Sequence, residues 1–235
     1  MGRNFAERSH ETELMDTEPV NVEDYQACLK DLATVNALTL THRPILKWLD
    51  HATRRLGPNE RVTVLDVGYG YGDLLRKIHE WSRRKGRAVD LVGVDLNPNS
   101  ADAARQATPA DMPIEYRTGD YAEQPTPFDF VISSLVAHHM TDDQLRAFIR
   151  YMEDQALCGW LINDLHRHRL SYYGFPWLAR LLGAHRIVRE DGQLSIARSF
   201  RPAEWRAILA DAGLPEGAAR IVRRFPFRLC VERLR

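Results

Sequence analysis

The chain has 235 residues with 32 basic and 32 acidic side chains, so its formal net charge at pH 7 is zero. A neutral chain has no overall electrostatic attraction to nucleic acid, and the sequence contains no run of about 18 apolar residues that predicts a membrane span. The polar N-terminus shows no secretory signal, and the three cysteines form no C-x-x-C pair, which predicts a cytoplasmic protein without disulfides.

The first quarter of the chain is predicted to be helical. Residues 1–20 predict a flexible or loosely docked arm, whereas residues 23–33 and 41–56 show apolar side chains at helical spacing. We expect the segment 21–58 to form a helical lid over the main domain, residues 59–235.

Beyond residue 60, short apolar runs alternate with helical patterns. The predicted strands cover residues 62–67, 89–95, 114–117, 128–134 and 159–164, and the helices between them include residues 74–81, 99–107 and 142–154. Such alternation predicts βαβ units in a mostly parallel sheet with helices on both faces.

The end of the chain has a different pattern. A helix over residues 201–213 precedes two β-like stretches, 218–224 and 226–233, which are close enough to pair as a hairpin. The sequence therefore predicts an α/β protein with three αβα layers, in which seven strands form a mostly parallel sheet that ends in an antiparallel hairpin.

A glycine-rich turn follows the first predicted strand, with the sequence Asp66-Val67-Gly68-Tyr69-Gly70-Tyr71-Gly72-Asp73. Glycines at the carboxyl end of a strand let the backbone approach a ligand closely. A dinucleotide site requires G-x-G-x-x-G, but Asp73 occupies the last position and its carboxylate would repel a pyrophosphate. The turn favours a ligand that carries an ammonium group and no phosphate.

Acidic residues also end the next two strands. Asp95 ends the second strand, where a carboxylate accepts hydrogen bonds from ribose hydroxyls, and Asp120 follows the third strand, where it is a candidate partner for an adenine amino group. Either residue alone is equally consistent with a helix cap or a turn.

Together these motifs resemble the class I S-adenosylmethionine-dependent methyltransferases, which have a Rossmann-like fold. The resemblance covers roughly residues 60–235 and is carried by residues 64–72, 92–98, 119–121 and 128–135. It implies S-adenosylmethionine as cofactor and S-adenosylhomocysteine as product. It also implies a set of cofactor-binding residues: Asp66, Gly68, Tyr69, Gly70, Gly72, Asp95, Leu96, Asn97, Gly119, Asp120, Tyr121 and Ser134.

The fourth-strand motif helps to define the acceptor. Enzymes of this class that methylate nucleobase amino groups carry Asp/Asn-Pro-Pro-Tyr/Phe there, whereas this chain has Ser133-Ser134-Leu135-Val136. We therefore expect a small-molecule acceptor and no nucleic acid.

Histidines cluster after the fourth and fifth strands. A phenol has an ordinary pKa of about 10, so methylation of its oxygen gains from a basic imidazole. His139 and His166 are the candidate bases, Asp164 is positioned to orient an imidazole, and His138 is a candidate substrate contact. The alternative is that the His138-His139 pair lies in a solvated turn. Because no two histidines have i,i+4 helical spacing, no metal site is predicted.

An insertion of residues 165–199 separates the fifth strand from the next helix. Its aromatic side chains Tyr172, Tyr173 and Trp177 suit a cover over a flat or apolar acceptor, although packing of a helix over residues 176–183 on the sheet explains them equally well. Arg43 in the lid is a candidate partner for a carboxylate.

The insertion region resembles bacterial enzymes that O-methylate phenolic or polyketide-type metabolites. The hypothesis is therefore methyl transfer to a phenolic or quinol hydroxyl. The alternatives are C- or N-methylation of a small metabolite, a non-catalytic subunit that binds S-adenosylmethionine, and a nicotinamide-dependent oxidoreductase, which Asp73 disfavours. The sequence leaves open whether the protein is a monomer or a homodimer.

Overall fold

A computed structural model describes residues 5–17, 21–57, 59–125 and 127–235 of the chain. Seven strands form one sheet in the order β3-β2-β1-β4-β5-β7-β6. The strands are β1 (Val62–Val67), β2 (Val89–Asp95), β3 (Ile114–Thr118), β4 (Phe128–Ser134), β5 (Ala156–Leu165), β6 (Arg220–Arg224) and β7 (Arg228–Leu234). β7 runs antiparallel to both β5 and β6, and all other pairs are parallel, so the predicted fold class is confirmed.

The described residues form nine α-helices. They are α1 (Leu14–Thr17), α2 (Val22–Leu38), α3 (Arg43–Ala52), α4 (Asp73–Lys85), α5 (Pro98–Ala107), α6 (Asp142–Gln155), α7 (Arg169–Leu181), α8 (Arg186–Arg198) and α9 (Pro202–Asp211). No helix in the described part of the chain is long and apolar enough to cross a membrane.

Helices cover both faces of the sheet. On one face, α3, α4 and α5 bury apolar side chains such as Leu49 and Ile78, and on the other face α6 and α9 bury Phe148 and Trp205. Because both faces are covered, the central strands β1 and β4 consist almost entirely of buried residues.

Local sequence explains where these helices begin and end. The Thr141 side chain accepts a hydrogen bond from the Gln144 backbone N–H, and the Gln144 side chain accepts one from the Thr141 backbone N–H, which forms a capping box at the start of α6. At the C-terminus of another helix, α4, Gly86 adopts a left-handed conformation with φ of 65° and ends the helix.

Four helices form a layer over the carboxyl edge of the sheet, and we call α1, α2, α7 and α8 the helical cap. Its interior contains Cys28 from α2, Ala179 from α7 and Val188 from α8. The cap departs from the predicted lid because α3 carries an apolar stripe, including Ile45 and Leu49, that packs on the sheet instead.

The cap also differs from the sequence prediction in its helix lengths. The predicted helix 176–183 overlaps only the second half of the longer α7, and Pro176 lies inside that helix. The second helix of the insertion, α8, was not predicted, because its charged first half shows no clear helical spacing of apolar residues.

The described part of the N-terminal arm, which includes α1, packs on the other helices of this cap. Phe5 is buried, and the backbone N–H groups of Leu14 and Met15 donate hydrogen bonds to the Asp191 carboxylate at 2.8 and 2.9 Å. The arm therefore brings Glu13 into the interior of the protein.

Candidate active site

A cavity of about 440 Å³ lies between the carboxyl edge of the sheet and the helical cap. The glycine-rich turn forms one end, and the termini of β4, β5 and β7 form the floor. Its walls are largely apolar and include Leu29 and Leu32 from α2, Phe175 and Leu178 from α7 and Ile187 from α8. A cavity of this kind suits a small apolar ligand.

The turn after β1 has a backbone conformation that needs glycine. Gly68 has φ of 76°, and a Cβ there would collide with the Val136 side chain. Gly72 has φ of 71°, and a Cβ there would lie 2.5 Å from the Tyr116 hydroxyl. The intervening Gly70 N–H donates to Asp95 Oδ2 at 2.9 Å, which joins the turn to the end of β2.

Carboxylates surround this turn. Asp66 is buried, and its Oδ1 has no hydrogen-bond partner among the described residues. Burial, together with the charges of Asp73 and Asp95, raises the pKa of Asp66 well above its ordinary value. The pKa of Asp95 is also raised, mainly by burial. The orphaned Asp66 oxygen and the excess of negative charge fit a cationic ligand and oppose a phosphate.

Asp73 at the start of α4 is satisfied within the protein. Burial opposes its ionisation, but His42 Nε2 lies 2.8 Å from its Oδ2, and this contact lowers the pKa of Asp73. Asp66, which lines the cavity, is therefore the acidic side chain of the turn whose oxygen Oδ1 has no hydrogen-bond partner among the described residues.

The predicted cofactor-binding residues divide into two groups. The members of the first group line the cavity: Asp66, Gly68, Tyr69, Gly70 and Ser134. The members of the second group are not part of its lining: Gly72, Asp95, Leu96, Asn97, Gly119, Asp120 and Tyr121.

Several residues of the second group have visible structural roles. Asn97 caps α5, and the Asp120 side chain accepts from the Ala122 N–H at 2.9 Å. Leu96 is 73% exposed, and Tyr121 packs edge-on against Phe148. Their assignment to the cofactor remains a prediction.

A buried histidine–aspartate pair lies at the cavity floor. His138, in the short 3-10 turn after β4, places its Nδ1 2.7 Å from Asp164 Oδ1 at the end of β5. The His138 backbone N–H donates to Asp164 Oδ2 at 2.8 Å, and the Leu165 N–H donates to Oδ1 at 2.7 Å. Although burial opposes ionisation, the interaction with His138 lowers the pKa of Asp164. Asp164 therefore orients an imidazole, and the imidazole is that of His138.

Glu13 joins this pair from the N-terminal arm. Its carboxylate oxygens lie 3.8 Å from His138 Nε2 and 3.8 Å from His139 Nε2, and Arg198 Nε lies 3.7 Å from Oε1. Burial raises the pKa of Glu13 to about 7. Glu13, His138 and His139 bring possible metal-ligand atoms within 4.8 Å of one another, a grouping that the helical spacing of histidines did not reveal.

His166 occupies a different environment from the other candidate base. His139 lines the cavity, whereas His166 is not part of its lining. Burial and the nearby charges of Arg223 and other cations lower the pKa of His166 to about 4. The structure thus separates the two candidate bases from each other.

The three aromatic residues that were predicted to cover the acceptor, Tyr172, Tyr173 and Trp177, are not part of the cavity lining. Tyr173 and Trp177 are 53% and 73% exposed, and Tyr172 packs on Phe5 with ring centroids 5.1 Å apart. The inward face of α7 instead presents Phe175 and Leu178 to the cavity. Their spacing of three residues puts these two side chains on one side of the helix.

Several polar residues of the cavity lining were not among the predicted site residues, and two of them are charged groups next to the proposed acceptor site. Glu13 comes from the arm, and Arg228 comes from the start of β7. Arg43, the predicted partner for a carboxylate, is exposed and is not in the cavity lining. Glu13 and Arg228 could not be predicted from the sequence, because both reach the site through contacts distant along the chain.

Comparison with known proteins places the chain in a class. A family model described as a methyltransferase domain matches residues 64–155. No curated protein sequence matches the chain.

Solved structures share the fold. Magnesium protoporphyrin IX methyltransferase from Synechocystis PCC 6803 with bound SAH has 19% identity and a TM-score of 0.56, and the match covers 84% of this chain and 83% of that one. A SAM dependent methyltransferase from Aquifex aeolicus has 18% identity and a TM-score of 0.60, with 91% and 97% covered. Human N-acetylserotonin methyltransferase in complex with SAM has 14% identity and a TM-score of 0.63, with 92% and 56% covered.

Fold, motifs and family match agree. Residues 64–155 match a methyltransferase-domain model, and the chain has the fold of the S-adenosylmethionine-dependent methyltransferases. The class of enzyme that the motifs around Gly68 and Asp95 predicted is confirmed.

Proposed function

We propose that this protein transfers a methyl group from S-adenosylmethionine to the hydroxyl of a small, largely apolar acceptor of phenolic or quinol type. The observation that carries the proposal is the buried His138–Asp164 pair, with 2.7 Å between Nδ1 and Oδ1, at the wall of an apolar cavity beside the glycine-rich turn. An oriented imidazole at this position is suited to take a hydroxyl proton.

The residues of the turn suit the proposed cofactor. S-adenosylmethionine supplies an electrophilic methyl group and carries positive charge on its sulfonium and ammonium groups. Asp66 offers an unpartnered carboxylate oxygen for such a charge, and Gly68 and Gly70 allow close approach of a ligand to the backbone. The acceptor then lies towards the ends of β4 and β5.

His138 is the base in this proposal. In the tautomer whose proton is on Nδ1, the Nδ1–H donates a hydrogen bond to Asp164 Oδ1. Nε2 then has a free lone pair and can accept a proton. Nε2 takes the proton of the acceptor hydroxyl as its oxygen attacks the methyl carbon. The resulting imidazolium is stabilised by Asp164 on one side and by ionised Glu13, 3.8 Å away, on the other.

The walls contribute alignment. Phe175, Leu178 and Leu32 present apolar surface to the cavity, which excludes water and restricts a flat ring to few orientations. An amine acceptor need only be neutral, so an oriented base beside the cavity supports a hydroxyl acceptor over an amine.

The test is a screen of phenols, quinols and resorcinols with a labelled methyl donor, followed by mapping of the methylated atom. The proposal expects label on oxygen, and loss of transfer in H138Q but not in H166Q, a matched change outside the cavity lining. Label on a ring carbon, or transfer that survives in H138Q at every pH, contradicts it. Tight S-adenosylhomocysteine binding without transfer to any acceptor would identify a non-catalytic binding subunit.

A further inference from the structure

Arg228 is a buried arginine at the wall of the cavity. It is 5% exposed, begins β7 and pairs with Leu165 at the end of β5. Its Nη2 donates to the hydroxyls of Thr39 and Thr41 at 3.0 and 2.7 Å, and its Nη1 donates to the Pro226 carbonyl at 3.4 Å. Its Nε is buried without a hydrogen-bond partner among the described residues.

No carboxylate of the described residues forms an ion pair with Arg228. Its neighbours along the hairpin differ, since Arg224 pairs with Glu232 at 2.7 Å and Arg233 pairs with Glu153 at 3.2 Å. The charge of Asp164 stabilises the guanidinium from a distance, but that carboxylate is occupied by His138. Burial lowers the pKa of Arg228 to about 10, so it remains charged at neutral pH.

A buried charge without a counter-ion is unfavourable unless a ligand supplies one. Arg228 is also the only lysine or arginine among the described residues that line the cavity. The polar contacts with Thr39 and Thr41 hold one end of the guanidinium in place. These features define an anion-binding group in an otherwise largely apolar cavity.

The position of Arg228 indicates which anion it meets. The sheet order β1-β4-β5-β7 puts β7 three strands from β1, about 14 Å at about 4.8 Å per strand. Asp66 at the glycine-rich turn is suited to the cofactor's ammonium group, and the cofactor's carboxylate is only two bonds further along the same molecule. β7 instead lies next to β5, which carries Asp164 and so the proposed base.

We propose that Arg228 binds a carboxylate of the acceptor, so that the substrates of this enzyme are aromatic or apolar hydroxy acids. This inference rests on the proposed function, because it assumes that the acceptor occupies the cavity floor. Arg228 sets the orientation of the acceptor, with the anionic end at β7 and the hydroxyl towards His138.

The test compares two probes that differ only in the carboxylate, 6-hydroxy-2-naphthoic acid and 2-naphthol, by calorimetry on protein saturated with S-adenosylhomocysteine at pH 7.5. A hydrogen-bonded charge pair predicts at least about tenfold tighter binding of the acid by the wild type. R228Q removes this preference and leaves the affinities for 2-naphthol and S-adenosylhomocysteine unchanged. R220Q, the same charge change at an exposed residue of β6, keeps it.

Equal affinity of the wild type for the two probes, or binding of neither, overturns the inference, and this comparison needs no variant. Loss of S-adenosylhomocysteine affinity in R228Q also overturns it, because the carboxylate would then be the cofactor's own. R228K keeps the positive charge and provides a second test in case R228Q does not fold. It is expected to retain a reduced preference for the acid.

The labelled-methyl assay on the same two probes separates this inference from the proposed function. Acid preference without methyl transfer supports the Arg228 site and contradicts the proposed reaction. Transfer to both probes at equal efficiency supports the reaction and contradicts the Arg228 site.

Discussion

Asp164 holds His138 at two points, with Oδ1 2.7 Å from the ring Nδ1 and Oδ2 accepting from the backbone N–H at 2.8 Å. The two contacts fix both the direction of the ring and the nitrogen that faces the carboxylate. Both residues are buried, so little water competes for these contacts. A histidine held in this way has a single nitrogen left for chemistry.

The D164N variant tests Asp164 as a positioning residue. We expect kcat to fall by about 10- to 100-fold with little change in KM, because the amide neither stabilises the imidazolium nor fixes the tautomer. Loss of hydrogen bonds to a charged group is expected to cost about 1–3 kcal/mol of unfolding free energy. Steady-state kinetics and denaturant unfolding measure the two effects, with D211N on the surface of α9 as control. A proportional rise in KM with kcat intact would assign Asp164 to acceptor binding instead.

The raised pKa of Glu13 predicts that the stability of the folded protein depends on pH. Its pKa is about 7 in the folded protein against an ordinary value of 4.5, because of burial. The folded state therefore binds the proton more tightly, and the contribution of Glu13 to stability is full below pH 4.5 and is lost as the pH rises through about 7.

We expect E13Q to gain stability relative to the wild type between pH 5 and pH 8, by about 1–3 kcal/mol. Unfolding midpoints across this range measure the difference, and E11Q, an exposed carboxyl two residues away, serves as control. A constant difference between E13Q and the wild type over the whole range would show that Glu13 does not titrate in the folded state.

Asp66 predicts proton release on cofactor binding. Its raised pKa means that the empty site holds a proton to unusually high pH, and the positive charge of a ligand lowers that pKa. Binding of S-adenosylhomocysteine is therefore expected to release a proton, and its affinity is expected to rise with pH.

Calorimetry in buffers with different heats of ionisation measures this release. D66N is expected to abolish it and to weaken binding by about tenfold or more, whereas D102N, on the exposed side of α5, changes neither quantity. Binding that exchanges no protons in the wild type would remove Asp66 from the cofactor site.

Because His166 has a lowered pKa and is not part of the cavity lining, its substitution is expected to change stability but not activity. Its folded pKa of about 4 lies below the ordinary value of 6.5, so the unfolded chain binds more protons and stability is lost as the pH falls from 6.5 towards 4. H166Q is expected to raise the unfolding midpoint at pH 5 relative to the wild type and to leave methyl transfer at pH 7.5 unchanged. A strong loss of turnover in H166Q would return His166 to the reaction.

The sheet and its order of elements could be predicted because their signals are local. The buried run Val62–Val67 and the Thr141 capping residue mark a strand and a helix start by their own side chains. The glycine-rich turn was recognisable for the same reason, since Gly68 and Gly72 are required by the backbone at those positions.

The side chains that line the cavity could not be predicted with the same detail. The choice between His138 and His139 depends on the direction of side chains in one 3-10 turn, which adjacent positions do not reveal. Trp177 looked like a cover residue, but its direction depends on the rotation of α7 about its own axis. Glu13 and Arg228 reach the cavity only through the tertiary fold.

The most direct test of the account is the pH profile of single-turnover methyl transfer from labelled S-adenosylmethionine to 6-hydroxy-2-naphthoic acid by wild type and H138Q. With His138 as base, we expect the H138Q rate near neutral pH to fall by about 10²- to 10⁴-fold and to recover at alkaline pH, where the free phenol ionises at about pH 10 without help. Equal rates for the two proteins across the whole pH range, or no transfer by the wild type at any pH, would contradict it.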